Sequence, residues 1–510
     1  MDHKNRDIVL PISFFIITII TRIPFTSKYL YHWDSVQFAL ALEKYDITVH
    51  QPHPPGYFLY VMLGKFINLF IEDANTVFIT ISIFFSGLAV VAIFYLGKEM
   101  FDQKTGIFAA LIALTSPNLW FHGEVALTYV VEAFFSSFVA LLCWRILKGE
   151  HKYLWLSVIA LGIAGGIRQN TVVFLLPLWL FSVKGVPLKK IIASLGLLGI
   201  ICLCWFVPMV WMTGGWNAYN EALRELWLFN TGHISVFEQG WTTFKIFSMA
   251  LLVFVIYGVG AGIFILGLAL YSVIRNRKLL LLDRQKTLFS LIWITPSVLF
   301  YLLIFIHYAN PGYVLIFLPS LLLLTAASIY FIGSNLKRFV RKDLTLFIAS
   351  IIIVINTTTF FVYNLASYKE IRIRDRDLSI MFDGIKSFNP ANTAIFIAPY
   401  IFCGFRHIMY YLPEYRVYSV DVRIAPTGER RKTSWGIHGK TFLSNDVDIP
   451  YDVTMFIILT RTDIRDKVAK IKGSSVKKLS SGMFLASGPL ALIQEIFPEL
   501  ILQFHNNHGP

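Results

Sequence analysis

The sequence predicts a polytopic α-helical membrane protein of about 11 transmembrane helices, within a range of roughly 10 to 13, followed by a C-terminal extracytoplasmic α/β domain. Three observations carry this. Of 510 residues, 56% are hydrophobic and only 15% charged, against about 25% charged in a soluble domain. Apolar runs close to membrane-spanning length recur from the N-terminus to about residue 366. Beyond that point the composition changes: Arg372, Arg374, Asp375, Arg376 and Asp377 mark entry into water.

The runs fall near 8–24, 57–71, 77–97, 106–121, 125–144, 153–167, 170–183, 191–213, 244–274, 287–307, 311–333 and 344–365. The first lacks a cleavage pattern and reads as a retained span. If 57–71, which carries Lys65, lies against the membrane without crossing, the basic loops share the side of Lys4 and Arg6. These include Arg145/Lys148/Lys152, Lys184/Lys189/Lys190, Arg275/Arg277/Lys278 and Lys337/Arg338/Arg341/Lys342. That is the positive-inside pattern, with a cytoplasmic N-terminus. It also disposes of the +14 net charge as a nucleic-acid signal, because the cations are dispersed into short loops. The four cysteines read as small core residues. Cys202 and Cys204 point to different helix faces and do not suit one metal.

This division gives a membrane domain over 1–366, with a first outer loop at 25–76, and a soluble domain over 367–510. In the latter, Thr393–Ala398, Arg416–Val420, Val453–Leu459 and Gly482–Ser487 read as strands and Phe405–Leu412 as a helix. Tyr400, Arg406 and His407 read either as facing the membrane domain or, more simply, as folded surface, and the domain is expected to serve stability or acceptor choice without carrying chemistry.

The outer face gathers the residues with chemistry. Asp34, in Tyr31-His32-Trp33-Asp34-Ser35, begins an amphipathic helical stretch over 35–42. A carboxylate there suits a general base or a plain N-cap. His53-Pro54-Pro55 follows. Arg168, at the outer end of a span, can grip a phosphate with its planar fork or simply snorkel. Lys65 is a second cation. Glu124, Thr128 and Glu132 fall at i, i+4 and i+8, on one face of a helix, and acids within a span commonly face a polar cavity. His53, His122, His233 and His307, with Glu124, are candidate ligands of a divalent cation, though no two have a local metal spacing. His307 is also a candidate partner of a phosphate. No glycine-rich nucleotide loop occurs, so no nucleotide cofactor is expected.

These motifs, in this order, resemble the GT-C superfamily of membrane glycosyltransferases, and within it the protein O-mannosyltransferase and aminoarabinose-transferase branch. The resemblance rests on the outer-loop Asp34 with its juxtamembrane helix, His53-Pro54-Pro55, Glu132-Ala133-Phe134-Phe135, Gly162-x-x-x-Gly166-Ile167-Arg168-Gln169, Pro311-Gly312-Tyr313-Val314-Leu315 with Pro319, and Tyr410-Tyr411-Leu412-Pro413. It implies a GT-C fold and an inverting transfer from a polyprenyl-phosphate sugar to a glycan, lipid or protein acceptor at the extracytoplasmic face, in a bacterial inner membrane. Asp34 would be the base. Arg168, Lys65, His53, Glu124, Glu132, His307 and Tyr313 would contact substrate. Many members place Asp-Glu in the first loop, whereas Ser35 follows Asp34 here. Rival readings are a transporter or flippase of lipid-linked sugars, and a ligase of whole glycans. The first predicts an inverted repeat with broken midplane helices, and neither is visible in the sequence.

Overall fold

The computed structural model describes residues 3–233, 235–276, 284–340, 343–397, 404–419, 446–460, 462–480, 482–498 and 500–505. Arg277, Lys278, Arg341, Lys342 and Tyr400 lie outside them, as do the ends of two expected strands at Ala398 and Val420. The chain divides into two compact units.

The first unit comprises Met1–Ser27, Tyr57–Trp211 and Leu223–Ile371. It is helical, and among the described residues seven helical segments are long and apolar enough to cross a membrane: Ile8–Phe25, Ala74–Met100, Tyr129–Leu147, Leu188–Met212, Val236–Val259, Arg284–Leu303 and Thr345–Val362. The chain is an integral membrane protein. Six shorter apolar helices accompany these. One is Phe58–Asn68, whose 11 residues rise about 16 Å, half the hydrocarbon thickness. It is therefore too short to cross unaided. Ala74–Met100 is the central post, with the first span and the helices Gln103–Thr115 and Tyr129–Leu147 packed on it.

Two of the breaks in the expected runs have a reason that the structure shows. The run 244–274 forms two helices, Val236–Val259 and Gly262–Asn276. Gly260 between them has φ 62°, and a Cβ there would lie 2.0 Å from Asn356 Oδ1. That oxygen instead accepts from Ala261 N at 2.9 Å, so the break is tied to the neighbouring helix. The run 106–121 breaks at Ser116, ahead of the short helix Pro117–His122, because proline lacks the amide to continue the ladder.

The second unit comprises Lys28–Gly56, Met212–Ala222 and Arg372–Pro510. Its strands are β1 (Thr393–Ile397), β2 (Arg416–Ser419), β3 (Asp446–Pro450), β4 (Met455–Thr460), β5 (Ser475–Ser480), β6 (Met483–Pro489) and β7 (Ile501–His505). Five form one sheet in the order β2-β1-β4-β6-β5, and β3 pairs with β7. β1 is parallel to both β2 and β4, and helix Gly404–Tyr411 supplies the β1–β2 crossover. A run of apolar residues buried on both faces is what such a central strand needs, and all five residues of β1 are buried. Phe396, Phe456, Ile458 and Ala486 centre the core.

The stretch Lys28–Gly56 folds with the residues from Arg372 onward. Asp375 accepts from the Lys28 and Tyr29 amides at 3.1 and 3.4 Å. Tyr411 Oη accepts from Leu30 N at 2.9 Å, and His407 Nε2 meets Leu30 O at 2.7 Å. These bonds satisfy backbone groups that a loop would otherwise leave to water.

Candidate functional site

In the second unit the site is built on helix Trp33–Glu43. Its N-cap is His32, whose Nδ1 accepts from Asp34 N at 3.1 Å, while Ser35 Oγ accepts from His32 N at 3.2 Å. The capping role that Asp34 was a candidate for thus belongs to His32. Asp34 sits in the first helical turn, where the helix N-terminus favours its negative charge. Its side chain is 23% exposed, open enough to meet a hydroxyl. His53 Nδ1 lies 3.7 Å from one carboxylate oxygen and His32 Nδ1 3.5 Å from the other. His53 Nδ1 also meets Gln37 Oε1 at 2.6 Å. An amide oxygen only accepts, so this nitrogen carries the proton and the ring is oriented.

The chain reaches His53 through a folded loop. Asp46 and Gln51 exchange backbone hydrogen bonds of 2.6 and 2.9 Å. His50 adopts the left-handed conformation, φ 57° and ψ 46°. Tyr45 Oη closes the far end by donating to Gly56 O at 2.6 Å. Burial, then the nearby positive charge of Arg406 and His53, pushes the His50 imidazole down to about 3, so it is neutral at ordinary pH.

In the first unit the site is built on Arg168. It ends helix Leu154–Ile167 in extended conformation, with its amide bonded to Ala164 O at 2.9 Å. The side chain turns into a ring of tyrosines. The guanidinium carbon is 4.3 Å from the Tyr129 centroid, 5.5 Å from Tyr313 and 6.0 Å from Tyr57. Nε lies 3.6 Å from Glu132 Oε2, and Nη1 donates to Thr128 Oγ1 at 3.4 Å. Thr171 Oγ1 donates to Glu132 Oε1 at 3.1 Å. Asn310 Nδ2 fixes Tyr129 by donating to its Oη at 3.0 Å. Gly312 is required here, because a Cβ would lie 2.5 Å from the Tyr129 ring and 2.7 Å from His122 Nε2. A guanidinium lying over aromatic faces retains its in-plane N–H groups for an anion.

The structure therefore brings Asp34 together with His53, and Arg168 together with Glu132 and Tyr313. Glu124 belongs to another group. The expected continuous helix through 124–132 does not form. The chain turns at Gly123, and the helix begins at Tyr129. Glu124 Oε1 accepts from Trp120 Nε1 at 2.6 Å. The Arg22 guanidinium lies 4.4 Å from the Trp120 ring and donates to Leu114 O at 2.7 Å. This cluster ties down the end of the first span. Lys65 sits half-buried in the last turn of Phe58–Asn68. His307 is exposed in the loop after Arg284–Leu303, stacked on Tyr308. His122 is buried, with Nδ1 2.9 Å from Asn118 O, and the side chain of His233 lies outside the described residues. Among the described residues, no three His, Cys, Asp or Glu are grouped to hold a metal ion.

Sequence reasoning missed His32, His50, Tyr57 and Tyr129 as site residues. Tyr129 had a signal, since it stands three residues before Glu132 on one helix face. Arg406 and His407, read more simply as folded surface, are wholly buried, because the first outer loop covers them.

Residues 52–212 match the family of dolichyl-phosphate-mannose-protein mannosyltransferases. The structure is similar to ArnT from Cupriavidus metallidurans bound to undecaprenyl phosphate, with a TM-score of 0.55 at 11% identity over 94% of this chain and 97% of that one. Against the apo state of the same enzyme the TM-score is 0.53 at 13% identity, over 95% and 98%. No curated protein sequence matches the chain. The fold is of the GT-C type, as the order of the motifs led us to expect.

Proposed function

We propose that the protein is a membrane glycosyltransferase. It moves a sugar from a polyprenyl-phosphate donor to a glycan, lipid or protein acceptor at the extracytoplasmic face of a bacterial inner membrane, with inversion. The observation that carries this is the presentation of Asp34: a part-exposed carboxylate in a first helical turn, flanked by His32 and His53, in a chain of GT-C fold. Asp34 takes the proton of the acceptor hydroxyl as its oxygen bonds to the anomeric carbon. The bond from that carbon to the phosphate oxygen breaks, and the lipid phosphate leaves with the electron pair. In the first unit, Arg168, its plane held by Tyr57, Tyr129 and Tyr313, is the residue we assign to binding the donor's phosphate. The ArnT structure bound to undecaprenyl phosphate supports a lipid phosphate as leaving group.

The test is transfer of radiolabelled sugar from short-chain polyprenyl-phosphate sugars by protein in proteoliposomes. Asp34→Asn is expected to lower kcat by about 10²- to 10⁴-fold, the usual contribution of a general base, with donor KM retained. Near wild-type turnover by Asp34→Asn removes Asp34 from the chemistry.

A further inference from the structure

We infer that the C-terminal domain sets the working position of Asp34, with Arg406 as the positioning residue; this rests on the reading of Asp34 as the general base. Helix Gly404–Tyr411 and its surroundings hold the loop on both sides of Asp34. Before it, Asp375, His407 and Tyr411 bond the backbone of Lys28 to Leu30. Beside it, the Trp33 ring packs edge-on against Phe405 at 4.7 Å, with the Arg406 guanidinium 5.5 Å from the Trp33 centroid. Beyond it, Arg406 Nη2 donates to Val49 O at 3.0 Å, at the turn where His50 goes left-handed. Three residues further on, His53 meets Asp34.

Arg406 is an expensive choice for a packing residue. It is wholly buried, its Nε and Nη1 make no hydrogen bond, and among the described residues no carboxylate pairs with it. A buried cation left unpaired weakens a fold, and an apolar side chain of similar length would serve packing better. What an apolar side chain cannot do is donate to Val49 O and fix the turn that aims His53 at Asp34. The C-terminal domain, expected to be a bystander to the chemistry, thus forms the back wall of the base.

The test compares Arg406→Met and Arg406→Lys with wild type, in the full chain, with the same labelled donors. Hydrogen exchange of the amides at Asp46, Val49, His50 and Gln51 is followed alongside thermal unfolding. In Arg406→Met, kcat should fall at least tenfold with donor KM within twofold, and loop exchange should accelerate at least tenfold. Thermal stability should stay level or rise. Arg406→Lys, which keeps a donor for Val49 O, should recover part of both losses. Full turnover in Arg406→Met, unchanged loop exchange, or a fall in thermal stability matching the loss of activity would each overturn the inference. The exchange arm needs no turnover. If wild type moves none of the sugars offered, the function reading fails on its own while loop protection still judges Arg406.

Discussion

Removing the cation from the Arg168–Glu132 pair should cost more than removing the acid, and repairing both should restore the fold but not the activity. At 3.6 Å and an effective dielectric of about 20, two unit charges attract by about 5 kcal/mol. Stranding one member of a buried pair costs about 3 to 5 kcal/mol. The Glu132 side chain is wholly buried and that of Arg168 is 8% exposed. Arg168→Met therefore strands a carboxylate whose other support is the Thr171 hydroxyl. Glu132→Gln leaves Arg168 with Thr128 and three tyrosine faces, a milder loss. The double variant removes both charges and should return to within about 1 to 2 kcal/mol of wild type, a coupling that a double-mutant cycle isolates. Thermal unfolding in detergent, read by size exclusion, gives the order: Arg168→Met lowest, Glu132→Gln between, double variant near wild type. Labelled-sugar transfer on the same samples should be lost in the double variant and in Arg168→Met. Wild-type stability in Arg168→Met, or full transfer by the stable double variant, refutes the reasoning.

Arg168→Lys keeps the charge but loses the fork, and should raise donor KM more than it lowers kcat, measured by varying donor at fixed acceptor. Gly312→Ala drives a methyl into the Tyr129 ring. It should destabilise by about 1 to 3 kcal/mol and weaken donor binding, checked by unfolding and KM together. His50 has a folded value of about 3 against an ordinary 6.5, so the fold prefers its neutral form. Its contribution is complete above pH 6.5 and is lost as pH falls from 6.5 toward 3. His50→Asn, which tolerates the left-handed backbone, should flatten the acid-side rise in hydrogen exchange of loop 46–51.

Much of the fold was legible because the periodicities are strong. The apolar runs became helices, and the four expected strands of the C-terminal domain formed as β1, β2, β4 and β6. β5 escaped notice because its Ser475–Ser480 sequence, with Lys477 and Lys478, is that of an exposed edge and lacks an apolar run. The break at Gly260 was hidden because nothing in the local sequence names Asn356, 96 positions on, as the acceptor that fixes it. At the site, Asp34 and Arg168 could be singled out as polar groups where polarity is unusual. Their surroundings could not be read in the same way. The tyrosines around Arg168 come from positions 57, 129 and 313, each ordinary in a chain with 23 tyrosines. Glu124 was grouped with Glu132 by helical spacing, and the turn at Gly123 separates them.

The partners of the first outer loop lie far along the chain. The bond from Lys28 to Asp375 spans 347 residues and that from Leu30 to Tyr411 spans 381. At a synthesis rate of about 5 to 20 residues per second, that interval is roughly 20 to 70 s. During it the loop has left the ribosome while the segment that will fasten it is still being made. A nascent chain halted before Arg372 holds nearly all its spans and none of this support. The stretch from Lys28 to Leu30 is thus fastened only once the residues that bond it have been made and folded against it.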